Sequence, residues 1–198
     1  MKLKSKTILL AAGKSTRMGT PKPLLSFHGK TLLQFQIEKI KGIGSDPIVV
    51  LGYHSHDILK AHPNIEKNCQ ILVNPYPEHG QFSSLLLGLK TVHTESVFVL
   101  PIDTPAPQPG IWKSIQDKIA DFWVMVPKFD TRGGHPVLLS SFFVKHLLES
   151  TIPASEQRLD LQIKKLSTVK YGTTSISDPS ILVDLDTPQD LELYFKCL

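Results

Sequence analysis

Cysteine is scarce. The 198 residues carry two, Cys69 and Cys197, and their separation fits neither a disulfide framework nor a zinc spacing. Long apolar runs are missing too. Lys2, Lys4 and Lys6 precede only five apolar residues, Ile8 to Ala12, before Gly13. That is too short for a signal-peptide core, and no later run approaches a membrane span. No basic stripe interleaved with aromatics appears, so a nucleic-acid track is not expected. Nor is there an internal repeat, a low-complexity tract or a linker. These absences leave a cytoplasmic protein without membrane or nucleic-acid partners as the expectation, folded as a single domain over residues 1–198.

What is present supports a packed enzyme-sized domain. Hydrophobic residues make up 41% and charged ones 20%, which argues against disorder, and a chain this long can bury a substantial core. The net charge of +4 is spread along the chain and suits a small anionic substrate. Apolar runs of strand length alternate with helical patterns. Strands are expected at Thr7–Ala12, Pro47–Gly52, Gln70–Val73, Ser96–Leu100, Phe122–Val126, within Gly133–Leu139 and at Ile181–Asp186. Helices are expected after Thr31, at Asp57–Ala61, from Ser83 or Ser84, and at Gly110–Ala120, Ser141–Glu149, Glu156–Lys165 and Pro188–Lys196. Phe142-Phe143 and Leu147-Leu148 read as core. Such alternation implies an α/β fold with a mostly parallel central sheet covered on both faces.

The first strand ends in a loop of unusual content: Gly13-Lys14-Ser15-Thr16-Arg17-Met18-Gly19-Thr20-Pro21-Lys22. Small residues bare backbone N–H groups, and Arg17 and Lys22 can aim two cations at one point, which suits a polyphosphate. Gly13-Lys14-Ser15-Thr16 looks like the end of a P-loop, but that motif needs a glycine where Ile8 stands. The P-loop reading fails.

Two carboxylate positions fall at the carboxyl ends of expected strands, where open α/β sheets bind ligands. Asp103 follows Ser96–Leu100, and Asp186 ends Ile181–Asp186. On a strand Asp184 and Asp186 would share a face, and converging carboxylates repel unless a cation such as Mg²⁺ sits between them. Plainer readings also exist: a turn carboxylate for Asp103 and a helix cap for Asp186. Gly80 would let backbone approach a ligand, and Ser83 and Ser84 with the following helix N-terminus could meet an anion or ribose, or simply cap a core helix. His54-x-His56 would put two rings on one strand face, either a metal pair or an ordinary surface loop.

Several of these blocks together resemble a known family. Leu10 to Lys22 is similar to L-A-A-G-x-S-x-R-M-G-x-x-K, the pyrophosphorylase-type motif of nucleotidyltransferases. The likeness is strongest to the MobA-like NTP transferases, and among them to the molybdenum cofactor cytidylyltransferases. Asp103 lies where these carry a D-x-P metal aspartate, although Pro101-Ile102 stands where a small residue is frequent. Asn74 to Leu89 resembles N-P-x-W-x-x-G-x-x-S-S-L-x-x-G-L. Arg132 to Leu138 resembles R-x-G-H-P-V-L, and Asp184 to Leu191 resembles D-I-D-T-P-E-D-L.

The resemblance implies a three-layer Rossmann-like nucleotidyltransferase fold and transfer of CMP from CTP to a phosphorylated acceptor, a molybdopterin, with release of pyrophosphate. It implies catalytic roles for Arg17, Lys22 and Asp103, and nucleotide contacts from Leu10, Ala11, Ala12, Gly13, Arg17, Lys22, Asn74, Gly80, Ser84 and Asp103. It places Gly134, His135 and Pro136 on the acceptor side, with Asp103 and Asp186 holding Mg²⁺. His79 and His135 are then expected to line the pocket. A molybdoenzyme would receive the product. The rivals are guanylyl transfer to the same pterin, NMP transfer to a sugar phosphate, and a non-catalytic cofactor carrier. Ala12 favours CTP, because its methyl narrows the space beside the base.

Overall fold

The apolar runs become the middle of a sheet. In the computed structural model, residues 3, 5–92 and 95–196 are described. Lys2, Lys4 and Cys197 lie outside them. In chain order the strands are β1 (Lys6–Ala11), β2 (Ser26–Phe27), β3 (Lys30–Thr31), β4 (Pro47–Leu51), β5 (Gln70–Val73), β6 (Val97–Pro101), β7 (Val124–Phe129), β8 (Arg132–Gly133), β9 (Val137–Leu139) and β10 (Tyr171–Ser175). The helices are α1 (Leu32–Gly42), α2 (Ser55–Ala61), α3 (Gln81–Leu89), α4 (Pro109–Gln116), α5 (Ser141–Glu149), α6 (Leu159–Lys164) and α7 (Pro188–Lys196).

The main sheet runs in the order β10-β7-β9-β6-β1-β4-β5, with β8 paired to β7; β2 and β3 form a separate hairpin. Neighbours are parallel except that β9 runs antiparallel to both β6 and β7, and β8 to β7. Side chains alternate between two cores. Leu9, Val49, Phe98 and Leu138 join α1, α2 and α4 on one face. Ile8, Val50, Val99 and Val137 join α3 and α5 on the other. That is the expected three-layer α/β architecture. Burying one such large apolar side chain contributes roughly 1.5–3 kcal/mol, whereas an exposed ion pair gives about 1 kcal/mol or less. The two cores therefore hold the layers.

Local signals explain most boundaries. Thr31 caps α1: its Oγ1 accepts from Gln34 N (3.2 Å), while Gln34 Oε1 accepts from Thr31 N (3.1 Å), a reciprocal capping box. Ser140 caps α5 in the simpler way. Helix α3 begins at Gln81, before the expected serines, because Gly80 at φ +86° turns the chain into it. Few residues other than glycine adopt that angle. Helix α6 is shorter than expected, and Ala154–Glu156 ahead of it forms a separate 3-10 turn. Phe142 is 68% exposed while Phe143 is fully buried, since adjacent helix positions point roughly 100° apart. His54 adopts φ +62° ahead of α2 and so shares no strand face with His56.

The larger correction concerns the last strand. Ile181–Asp186 does not join the sheet. Asp178 Oδ1 accepts from Ser180 N (2.8 Å) and opens a 3-10 turn over Pro179–Leu182, after which the chain runs as a strap across the carboxyl ends of the strands. The edge position beside β7 is taken by β10, whose Tyr-Gly-Thr-Thr-Ser sequence carries little apolar signal.

Candidate active site

Strand β1 lies between β4 and β6, so the chain leaves it on one side and returns on the other. Open α/β sheets bind ligands in the crevice at that reversal, beyond the carboxyl ends of the strands. Here the crevice is a cleft of about 440 Å³, walled by the loops after β1 and β6, the start of α3 and the strap.

The loop after β1 is tied down by its own contacts. Ser15 adopts φ +55°, and its Oγ accepts from Lys22 N (2.9 Å). Met18 N donates to Ser15 O (3.1 Å), and the Met18 side chain is buried. Lys14 also lines the cleft, with its ammonium 4.8 Å from the centre of the Tyr53 ring and its carbonyl 3.1 Å from His54 Nε2.

Lys22 reaches into the carboxylates. Its Nζ is 2.6 Å from Asp103 Oδ2 and 2.6 Å from Asp186 Oδ1, and Arg17 contacts Asp186 Oδ2 at 2.8 Å. Burial works against the Lys22 charge, but hydrogen bonds to and charges of Asp103 and Asp186 outweigh it and raise the pKa. The Lys22 hydrogen bond, with the Lys22 and Arg17 charges, holds the Asp186 carboxyl below its ordinary range. Asp184 joins this group, its ligand oxygen within 4.8 Å of those of Asp103 and Asp186. Burial and the two neighbouring carboxylates push its pKa up. Three carboxylates that converge in this way form a hard, all-oxygen donor set, which suits Mg²⁺ or Mn²⁺.

The strap is held so that this convergence is reproducible. Leu185 N donates to Asp103 O (2.9 Å), and His135 N donates to Ile181 O (2.9 Å). A Cβ at Gly134 would lie 2.3 Å from Ile181 O, so only glycine lets the strap pass. Asp186 is not a helix cap. Thr187 Oγ1 accepts from Asp190 N (3.3 Å), and Asp190 Oδ2 accepts from the N–H groups of Asp186 (3.1 Å) and Thr187 (2.7 Å). The Asp186 carboxylate is thereby left facing the cations.

Across the cleft, Asn74 is buried and organises the turn into α3. Its Nδ2 donates to Ser83 Oγ and Ser84 Oγ (2.9 Å each), and its Oδ1 accepts from Tyr76 N (3.0 Å). Ser84, 1% exposed, is a wall of the cleft. Leu10, Ala11, Ala12, Gly13, Gly80 and Asp103 line the cleft with Arg17 and Lys22, whereas Asn74 stands behind it.

A second cavity of about 890 Å³ adjoins the first, sharing Leu10, Gly80 and Gln81. Gly134 and His135 line it; Pro136, joined to His135 by a cis peptide, is buried beneath. Burial keeps the His135 ring below its ordinary pKa, against the pull of Asp103. His79 stacks on Tyr76 (5.5 Å between ring centres) and lines neither cavity. Among the described residues no histidine joins a metal-type cluster. Cys69 is half-buried, which pushes its pKa up to about 11 and leaves it an unreactive thiol. Sequence reasoning missed Tyr53, Glu78 and Gln81, which line the cleft. It also missed Gln36, a lone polar residue in the buried stripe of α1, and that interruption was the available signal.

Fold and cleft together define a nucleotidyltransferase of the α/β type. Residues 7–167 match the MobA-like NTP transferase domain, and the chain belongs to that family. It is 27% identical over 184 residues to the molybdenum cofactor cytidylyltransferase of Escherichia coli (strain K12), covering 92% of this chain and 91% of that one. It is 25% identical over 202 residues to a probable molybdenum cofactor guanylyltransferase of Chloroflexus aggregans, covering 94% and 91%. Among solved structures, Rv0371c from Mycobacterium tuberculosis H37Rv superposes with a TM-score of 0.80 at 21% identity, covering 98% of this chain and all of that one. Asp184 and Asp186 lie beyond the matched span. No helix among the described residues is long and apolar enough to cross a membrane.

Proposed function

We propose that this chain, acting as one domain, transfers CMP from CTP to the phosphate of a molybdopterin-type acceptor and releases pyrophosphate, with the product passing to a molybdoenzyme. The observation that carries the reading is the meeting of Lys22 and Arg17 with Asp103, Asp184 and Asp186 at the sheet's reversal point, beside a second cavity large enough for an acceptor. Likeness to the cytidylyl- and guanylyltransferases above supports the donor and acceptor classes.

A phosphate oxygen of the acceptor attacks the α-phosphorus in line, a P–O bond forms, and the bond to the β-phosphate oxygen breaks with its electron pair. The nucleophile is already anionic, so no base is required, and catalysis is positioning plus charge stabilisation. Asp103 and Asp186, with Asp184 beside them, would hold Mg²⁺. The ion would supply charge neutralisation at the phosphoryl oxygens. Lys22 bridges Asp103 and Asp186; a triphosphate would compete for its ammonium and draw it toward the α-phosphate. Arg17, 67% exposed at its side chain, swings readily onto the outer phosphates. The base sits against Leu10 to Gly13, where the Ala12 methyl favours a pyrimidine.

The test is incubation with each of CTP, GTP, ATP and UTP, Mg²⁺ and purified molybdopterin, reading pyrophosphate. CTP should give the highest kcat/KM. A GTP preference moves the chain to guanylyl transfer, a UTP or ATP preference points to a sugar phosphate, and no turnover with any leaves a carrier.

A further inference from the structure

Helix α1 buries Leu32, Leu33, Ile37 and Ile40, with Gln36 among them. A polar side chain that is 0% exposed must have all its groups partnered or it destabilises the fold. Those partners are in one place. Gln36 Nε2 donates to Ile102 O (3.2 Å) and Thr104 O (2.7 Å), and its Oε1 accepts from Ala106 N (2.8 Å). The two carbonyls belong to the residues on either side of Asp103.

The segment needs such a tie. Between Pro101 and Pro107, three of seven positions are proline, which has no N–H to give to a ladder. Strand β6 ends at Pro101, and beyond it the backbone is held by Ile102 N on Leu10 O (3.0 Å) and Leu185 N on Asp103 O (2.9 Å). Gln36 supplies the flanking contacts. Its amide bonds the carbonyl of the Ile102–Asp103 peptide, next to Asp103, and that of the Thr104–Pro105 peptide one residue further on, and so holds the backbone from which the Asp103 carboxylate reaches Lys22.

The geometry points to Gln36 as the positioning residue for Asp103. The inference rests on the reading of Asp103 as a metal-holding carboxylate. Gln36 touches no substrate; it acts through the loop.

Gln36→Met removes all three contacts at similar volume, and Gln36→Asn keeps the amide on a stem too short to span them. Mn²⁺ binding, followed by electron paramagnetic resonance with CTP and without acceptor, should weaken at least about tenfold in Gln36→Met, the range for loss of a group that orients a ligand. Gln36→Asn should fall in between. Turnover should drop by a similar factor while KM for CTP stays within about twofold, a split that general loosening of the core would not produce. A folded Gln36→Met with wild-type Mn²⁺ affinity overturns the proposal. If neither variant folds, hydrogen exchange in the unmodified protein decides. The Ala106 amide should exchange as slowly as core amides, and exchange at the rate of an open loop overturns the proposal. Asp103→Ala in the same assay separates the two ideas. Undiminished Mn²⁺ affinity there refutes the metal reading itself, whereas loss there with none in Gln36→Met refutes only the positioning role.

Discussion

The two cavities that meet at Leu10, Gly80 and Gln81 are built on different principles. The smaller is charged and pre-tied: Ser15 holds Lys22, Lys22 holds Asp103 and Asp186, and Asn74 holds the serines opposite. The larger is walled by Phe82, Leu85, Val126, Leu159 and Ile163, with Arg158, Asp160 and Lys164 near the rim of α6. Triphosphates present the same oxygens whatever the base, so a fixed constellation of charges suits them. An acceptor is distinguished by its outline, which apolar walls read by shape. On the proposed function, the chemistry would reside in one cavity and the choice of acceptor in the other.

The widest expected effect lies on the charged side. Asp103→Ala should remain folded and lose at least about a hundredfold in pyrophosphate release at saturating CTP, the scale for removing a charge-stabilising element. Near-normal release would dissolve the contrast between the cavities. Lys22→Ala comes next. Its kcat should fall by about tenfold or more, and by more than KM rises, because the charge Lys22 meets grows during transfer. Mn²⁺ binding without nucleotide should meanwhile tighten, since no ammonium competes for Asp103 and Asp186. Lys14→Ala, whose ammonium already lies over Tyr53, should be mild; if it is the more damaging of the two, the assignment of the clamp is wrong.

On the apolar side, Ile163→Trp fills the larger cavity. It should raise KM for the acceptor about tenfold, a usual range for shape discrimination, and leave CTP binding intact by calorimetry. An unchanged acceptor KM would move the acceptor elsewhere. The smallest effect belongs to Ala12→Gly. It should relax the preference for CTP over GTP by a few-fold, since pocket width without polar partners to the base edge discriminates weakly, and competition between the two nucleotides measures it.

The same contrast divides what could be read in advance. The charged cleft was legible because its parts sit in short contiguous blocks whose composition departs from ordinary loops, as in Gly13 to Lys22 and Asp103 between prolines. The apolar chamber takes Tyr171 from β10 and the charged cleft takes Asp186 from the strap, and both segments mislead. Tyr171–Ser175 pairs with β7 through backbone while showing polar side chains outward, so it lacks the apolar alternation of a strand. Ile181-Leu182-Val183-Asp184-Leu185-Asp186 has that alternation, but Asp178-Pro179 starts a turn, and the strap's backbone bonds to distant parts of the chain include those with Asp103 and His135 rather than a strand ladder. Alternation did place Asp184 and Asp186 on one side, with Leu185 buried on the other. Gln36 showed in the sequence only as an interruption of an apolar stripe, and its role was illegible for a different reason: its partners are backbone groups some seventy positions away.

The strap also governs the order in which the protein fails. Asp186 enters the cleft immediately ahead of α7, a helix with no fully buried residue. Tyr194 and Phe195 lean on Phe27, with ring centres 5.3 and 5.2 Å away. Segments with so little buried surface open at lower free energy than a core. Mild urea should therefore detach this last stretch while the sheet and its two cores persist. Turnover should decline well below the urea concentration that exposes the fully buried Trp112 and shifts its fluorescence. The working life of the protein in the face of denaturant is then set by its least anchored helix, and stiffening the contact of Tyr194 with Phe27 should prolong activity without moving the midpoint of the core.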